Sequence, residues 1–381
     1  MAIRPFELKD ADGVNALHDD IGWAAPSHEQ WVWLSNNPAR GKAPVGWVID
    51  NDGRIDGFIG SFRQTLYRSH ARFSTATSHS VIVSPRAKGG LRDLIQPFLD
   101  QKDTFAVTVL NANQIGSPIY RKLGIPPLPS PLHDVKLAWI LAPTITLISK
   151  WMRLAASRYP ALYDVFGERF TPRSATLFDG RMVGWPKGVH MLHDLSDSSS
   201  LGSFWNELKA DGKLVADRSP AALRWRLSIP GLSAPPLLLG YHDEKGLCAY
   251  AMVQMSKTGP LDVTALEIID MVALERAPAN ALPTLLKAVK TAAYKMGAAK
   301  VRLPLVSQQL HKALASKTGM NHVEGGWGHA FARFHAPQEN FADWQPTPFE
   351  GSYGFTLRQP RLKPKKMRRQ KGEQTLAASE S

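Results

Sequence analysis

Apolar and polar positions follow the same order in two long passages of the chain, with a differently patterned stretch between them. In the first passage "AIRPF" predicts a short strand, and "DADGVNALHDD" supplies a cap and a first helix. "VGWVIDNDGRIDGFIGSF" is two apolar runs about Asn51, Asp52 and Gly53, the pattern of a hairpin. "SHSVIV" follows as a strand. After two glycines, Leu91, Leu94, Ile95, Phe98 and Leu99 recur at helical spacing. "TFAVTVL" alternates as a strand, and "SPIYRKLG" predicts a short helix that Gly124 ends.

From about residue 201 the order returns. "FWNELKAD" and "PAALRWRL" predict helical pieces, and "PPLLLGYHDEKGLCAYAMVQM" predicts a second hairpin turning near Glu244–Gly246. "ALEIIDMVAL" is a strand, and Leu282, Leu285, Leu286, Val289, Ala293 and Met296 stripe a helix. "KVRLPLV" is a strand, and "SQQLHKALASKTG" a helix ending near Gly319. The repeated order points to two copies of one α/β fold. Between the copies lie the proline-rich "IPPLPSP", the apolar run "LAWILAPTITLI" and the polar "DLSDSSSLGS". The expected division is therefore 1–128, a connecting region 129–200 with an apolar helix and a linker, 201–358, and a tail 359–381.

Composition narrows this picture only in places. A chain of 381 residues exceeds the usual size of one core, and 44% hydrophobic with 21% charged residues is ordinary for globular proteins. The formal charge of +13 is concentrated at the end: "RLKPKKMRRQKGEQTLAASES" has seven basic and two acidic residues, leaving +8 for the first 360. Such a tail is expected to be disordered, and it can attract RNA, phosphorylated sugars or an anionic surface without specifying any of them. Cys248, the single cysteine, lies in the apolar "GLCAYAMV" and is expected to be buried. "MAIRPFELKD" lacks a signal-peptide core, so a cytoplasmic location is expected. "LAWILAPTITLI" is shorter than the roughly 18 residues of a membrane span; together with "KWMRLAASRYP" it offers a peripheral contact with a membrane.

Four groups of residues carry candidate chemistry. In "VIVSPRAKGGLRDLI" a strand gives way to a helix across Arg86, Lys88, Gly89 and Gly90. Glycines let backbone amides approach a ligand, and a helix start offers free amides to an anion. A plain strand–helix turn explains the same residues, and neither common nucleotide-binding motif is present. In "NANQIGSPIYRKLGI", Asn113 caps or braces the segment, and Tyr120 either donates a proton or packs its ring. Arg224 and Arg226 flank Trp225, an arrangement that suits either a carboxylate or phosphate ligand or an inter-domain salt bridge. The scattered histidines form no HExxH-like pair, so no metal centre is expected. Glu267 and Asp270, three apart on a strand, are expected on opposite faces.

The order of elements and two of these stretches resemble the GNAT superfamily of acyl-CoA N-acyltransferases in a tandem form, with a looser similarity to Fem-like transferases. Val83, Pro85, Arg86 and Gly89 match the superfamily's pyrophosphate loop, with Leu91 where a small residue is usual. Asn113, Tyr120, Lys122, Leu123, Gly124 and Ile125 match its second motif. The resemblance is good over residues 1–128 and thinner over 201–335, where "RSPAALRWRL" resembles a segment of cell-envelope polysaccharide enzymes. It implies an α/β (α+β) fold of two domains, each a mixed, mostly antiparallel sheet flanked by helices. It also implies acetyl-CoA or another acyl-CoA as donor, and a small amine or envelope precursor as acceptor. The site residues implied are the backbone from Lys88 to Leu91 for pyrophosphate, with Arg86 beside it, and Ile82 and Val83 for the thioester carbonyl. Tyr120 is implied as proton donor, with Asn113, and Arg224 and Arg226 as acceptor-binding residues. In the second copy "RAPANAL" lacks a loop glycine and Leu314 stands near the tyrosine position, so the donor is expected in the first copy only. A Fem-like transferase using aminoacyl-tRNA and a non-catalytic protein with a worn-down fold are the alternative readings.

Overall fold

In the computed structural model the described residues are 1–113, 116–159, 161–162, 184–315, 321–323, 329–337 and 341–360. The N-terminal passage forms β1 (Ala2–Pro5), α1 (Ala11–Asp20), α2 (His28–Ser35), β2 (Gly46–Asn51), β3 (Arg54–Arg68), β4 (Ala71–Val83), α3 (Leu91–Leu99), β5 (Ala106–Ala112) and α4 (Gly116–Lys122). The hairpin between β2 and β3 turns where expected, because Asp52 and Gly53 take the left-handed backbone (φ +53° and +88°) that a tight turn requires. α2 was not legible as an apolar stripe; a reciprocal cap between Ser27 and Gln30 starts it.

The middle stretch forms β6 (Leu137–Ile140), α5 (Pro143–Arg158) and β7 (Val189–Met191). The apolar run thus splits at Pro143, whose missing amide proton suits the first turn of a helix. The second passage gives α6 (Ser200–Ala210), β8 (Val215–Ala216), α7 (Pro220–Leu227), β9 (Leu237–Asp243), β10 (Gly246–Ser256), β11 (Ala265–Ala273), α8 (Ala281–Lys295), β12 (Lys300–Leu303) and α9 (Gln308–Leu314). β13 (Asn321–Val323), β14 (His329–Phe334) and α10 (Tyr353–Thr356) follow. The expected helix end at Gly319, the segment 318–320 and the basic tail from 361 lie outside the described residues.

Two seven-stranded sheets result, mixed but mostly antiparallel, with orders β1-β2-β3-β4-β5-β14 (β8 beside β3) and β13-β6-β12-β11-β10-β9-β7. Among the described residues the chain crosses between them four times, since β8 joins the first sheet between β7 and β9 of the second. β6, from the middle stretch, pairs with β12 and β13, and β14 returns from the far end to pair with β5, His329 opposite Ala112 and Phe334 opposite Ala106. Each sheet therefore contains strand from beyond the expected boundaries at 128 and 201. One face of the first sheet is covered by α3 and α4, through Leu94, Ile95, Phe98 and Tyr120. α1 and α2 cover part of the other face. The rest packs on the second sheet through Leu66, Leu110 and Ala332 against Tyr250, Met252 and Ile269. α8 covers the far face of the second sheet.

An ionic cluster is sealed between the sheets. Arg218, which follows β8, donates from Nε and Nη2 to both oxygens of Asp270 on β11 (2.8 and 3.1 Å). Its Nη2 also lies 3.3 Å from Glu350 Oε1 and 3.2 Å from the Thr347 hydroxyl. Side-chain exposures of 2%, 0% and 1% for Arg218, Asp270 and Glu350 leave no room for solvent screening. Burial works against the charged guanidinium, but the two carboxylates outweigh it and hold Arg218 firmly protonated. Tyr250 and Thr347 donate to Asp270, so its remaining lone pairs are used.

Glu267 and Asp270 share a face, contrary to the expectation from their spacing. Asp270 pairs with Met252 but Ile268 with Val253, so β11 carries one extra residue and the alternation slips. Tyr250 and Ser256, on one face of β10, accordingly reach Asp270 and Glu267. Both carboxylates are committed: Glu267 is held by Ser256 and Arg302.

Removing one member of a buried ion pair strands the other without water. Arg218→Met is expected to lower the unfolding free energy by about 3–5 kcal/mol, measured by urea denaturation. A loss below about 1 kcal/mol, typical of an exposed pair, would show that the cluster does not hold the sheets together.

Candidate functional site

The first sheet opens at its centre. β4 and β5 run parallel and pair only over Thr75–Thr77 and Ala106–Thr108; beyond Thr77 they diverge. Just past that point β4 is bulged, with Phe58 opposite Ile82 but Gly60 opposite His79. Ser80, in the bulge, takes a left-handed φ of +50°. Ile82 and Val83 are matched to Phe58 and Gly57. Of two such neighbours only one turns its amide toward β3, so the other faces the gap left by β5.

His79 shapes the wall of this wedge. A side-chain carbon on Gly60 would lie 2.2 Å from the His79 ring, so only glycine seats the imidazole there. The ring is enclosed by Phe58 and Phe355 (centroids 6.1 and 5.1 Å), and Nε2 has no hydrogen-bond partner among the described residues. Burial, aided by His18, holds the imidazole down to about 3. It is neutral at physiological pH and too weak a base to take a proton from an ammonium ion.

At the end of β4 the "SPRAKGG" turn is a tight loop opening into a helix. Ser84 caps a single 3-10 turn, Pro85–Ala87, by accepting from the Arg86 amide (3.3 Å). Gly89 has φ +96°, and a side-chain carbon there would meet nothing within 4 Å, so its outer side is open. Gly90 bonds back to Ala87 O and backs onto Ile49. The first-turn amides of α3, from Leu91 onward, therefore point out beside exposed Arg86 and Lys88. Leu91 does not crowd this opening, because its side chain packs with the apolar cluster under α3. A groove of about 550 Å³ between α1 and the β2–β3 turn reaches Ser84 and Arg86, with Asp10, Asp20 and Asp52 as well as Lys9 and Arg54 in its lining.

On the other side of the wedge, Asn113 accepts from the Gly116 amide (2.7 Å) and Ser117 donates to its carbonyl (2.8 Å), so Asn113 starts α4. That places Tyr120 against Phe331 with its ring buried. Burial pushes the Tyr120 phenol up to about 12, opposed by the nearby Ser78 hydroxyl. It is a protonated donor at neutral pH. Ser78 Oγ is itself buried without a hydrogen bond among the described residues.

The two arginines of α7 part company. Arg224 is exposed and reaches Leu195 O, whereas Arg226 is 3% exposed, between the rings of Phe62 and Phe349 (4.4 and 4.5 Å), and donates to Phe349 O. Burial lowers Arg226 to about 9, so it remains charged, with both faces occupied. An acceptor-binding role is closed to it. Cys248 is buried, and burial raises its thiol to about 11, as an apolar role requires.

Residues 349–353 close the wedge from below, a contact that no local pattern along the chain signals. Thr77 Oγ1 donates to Glu350 O (2.8 Å), Gln64 Nε2 to Phe349 O (2.7 Å) and Tyr353 OH to Leu110 O (2.6 Å). His79 and Ser78 had one signal that could have been used: "STATSHS" is a polar run inside a strand whose ends are apolar.

No protein-family model and no curated protein matches the sequence. Solved structures do match the fold. A probable N-acyltransferase from Enterococcus faecalis aligns with a TM-score of 0.52 and 11% identity, over 87% of this chain and 72% of that one. A GCN5-related N-acetyltransferase from Anabaena variabilis aligns with a TM-score of 0.51 and 13% identity, over 88% and 73%. The chain thus shares the mixed α/β fold of these two structures.

A histidine kept neutral by burial makes stability depend on acid. Below about pH 6.5, where an unfolded imidazole titrates, the unfolded chain gains a proton at His79 that the folded chain refuses until about pH 3. Stability is full above that window and falls within it by up to about 1.4 kcal/mol per pH unit. Urea midpoints at pH 7, 5 and 4 are expected to fall more steeply in wild type than in His79→Gln. Identical slopes would mean that His79 is not sealed.

Proposed function

We infer that the wedge between β4 and β5 holds an acyl-CoA thioester and that the protein is an N-acyltransferase, an acetyltransferase in the first instance. The observation that carries this reading is the divergence of the two parallel strands beyond Thr77, flanked by an open amide loop at Gly89 and a buried phenol at Tyr120. The fold neighbours support it. Amides of Gly89 and of the first turn of α3 receive the pyrophosphate, with Arg86 and Lys88 beside it. An amide at Ile82 or Val83 polarises the thioester carbonyl. A base reached through water takes the proton of the acceptor's ammonium, the amine attacks the carbonyl carbon, and the carbon–sulfur bond breaks. Tyr120 gives its proton to the departing thiolate, and the acylated nitrogen gives up its second proton, which restores the phenol through solvent. The acceptor is a small amine or envelope precursor entering between the sheets, with Arg224 the exposed cation of α7. Among the described residues the second sheet has no comparable loop, and Leu314 on α9 is buried, which supports one donor per chain.

Isothermal titration with acetyl-CoA is expected to give saturable binding that Gly89→Trp abolishes. Tyr120→Phe should bind as wild type but, in the presence of a panel of amines, release free coenzyme A about a hundredfold more slowly or worse. Absence of binding in wild type would favour a non-catalytic protein, and salt-sensitive tRNA binding in its place a Fem-like transferase.

A peripheral membrane contact has its own observation. Among the described residues no helix is long and apolar enough to cross a membrane. α5, however, packs inward through Ser149 and Ala156 and leaves Leu147, Ile148, Trp151 and Leu154 exposed, with Lys150 and Arg158 exposed alongside. An apolar face edged with cations suits an anionic bilayer surface. Co-flotation with vesicles containing phosphatidylglycerol is expected, and Trp151→Glu with Leu154→Glu should abolish it; equal flotation of both proteins would remove this reading.

A further inference from the structure

We propose that His133, Asp134 and His329 form a binding site for a divalent transition-metal ion of the zinc class, which pins β14 to the connection leaving α4. One ligand atom from each residue lies within 4.8 Å of the other two. The two imidazoles face each other with centroids 6.3 Å apart. Their preparation matches what metal ligands need. His133 Nδ1 lies 3.0 Å from Ser130 O, which fixes the proton on that nitrogen and leaves Nε2 with a free lone pair. His329 Nδ1 is buried and has no hydrogen-bond partner among the described residues, a cost that a bound cation would remove.

The backbone holds the triangle in place. The Ala330 amide donates to His133 O and the Leu128 amide to Ala330 O, both at 2.8 Å, so the residue next to His329 is tied to His133 and to the segment that precedes it. Zinc bonds of about 2.0 Å place tetrahedral ligands roughly 3.3 Å apart. Small side-chain rotations bring the present triangle to that size. Two imidazoles and a carboxylate favour zinc-like ions over calcium or magnesium, which prefer all-oxygen sites. Three protein ligands leave a position for water. The site was invisible to sequence spacing because its histidines are nearly two hundred residues apart. It is independent of the acyl-transfer reading, since none of its residues belongs to the wedge or the loop.

The test uses the full chain without a histidine tag, stripped with chelator and titrated with Zn²⁺ by calorimetry and with Co²⁺ by visible absorption. One equivalent is expected to bind to wild type. His329→Ala and His133→Gln should weaken binding at least tenfold, and the exposed-site control His28→Gln should not. Zn²⁺ should raise the melting temperature of wild type and leave both variants unmoved. Asp134→Asn, at a half-buried position outside the sheet, repeats the test without disturbing strand pairing. No stoichiometric binding to wild type, or undiminished binding by these variants, overturns the proposal.

Discussion

The arrangement of the two sheets depends on a charge that has nowhere else to go. Arg218 is enclosed between sheets that each bury an apolar face, so its guanidinium must find anions inside the protein. Asp270 comes from the second sheet and Glu350 from the closing segment, while Arg218 itself follows a strand of the first sheet. Apolar packing alone tolerates sliding; a bidentate pair with a third partner fixes one relative position. The cost of desolvating these groups is high, and what it secures is registration between the halves more than added stability.

That registration reaches the wedge through the segment carrying Glu350. The same turn that presents its carboxylate to Arg218 presents its carbonyl to Thr77, the last β4 residue paired with β5. Tyr353 then fastens to β5 at Leu110, and Phe355 covers His79. The opening in the first sheet is thus walled by residues from both ends of the chain. The placement of β6, β8 and β14 has a similar effect: each sheet is completed by strands from another part of the chain.

The titratable groups along the wedge are buried and neutral. His79 and Tyr120 are both displaced by burial in the direction that suppresses charge. The loop at Gly89 is the reverse, with exposed cations and outward amides. A ligand with an anionic end and an uncharged reactive end is matched by this division, and an acyl-CoA thioester has that form.

Much of the fold was legible along the chain. The hairpin at Asp52 and Gly53, the amphipathic stripe of α8 and the glycine loop before α3 are set by local rules of turn geometry, periodicity and helix starts, which act over a few residues. The loop glycines and the capping of α4 by Asn113 were readable for the same reason. What the sequence could not determine is where distant segments meet. The bulge that turns Glu267 and Asp270 to one face, the burial of Arg226 between two rings, the closing turn at Glu350 and the meeting of His133 with His329 all arise from packing between sheets. Those choices depend on excluding water from groups far apart in the chain, and only the tertiary structure decides which groups those are.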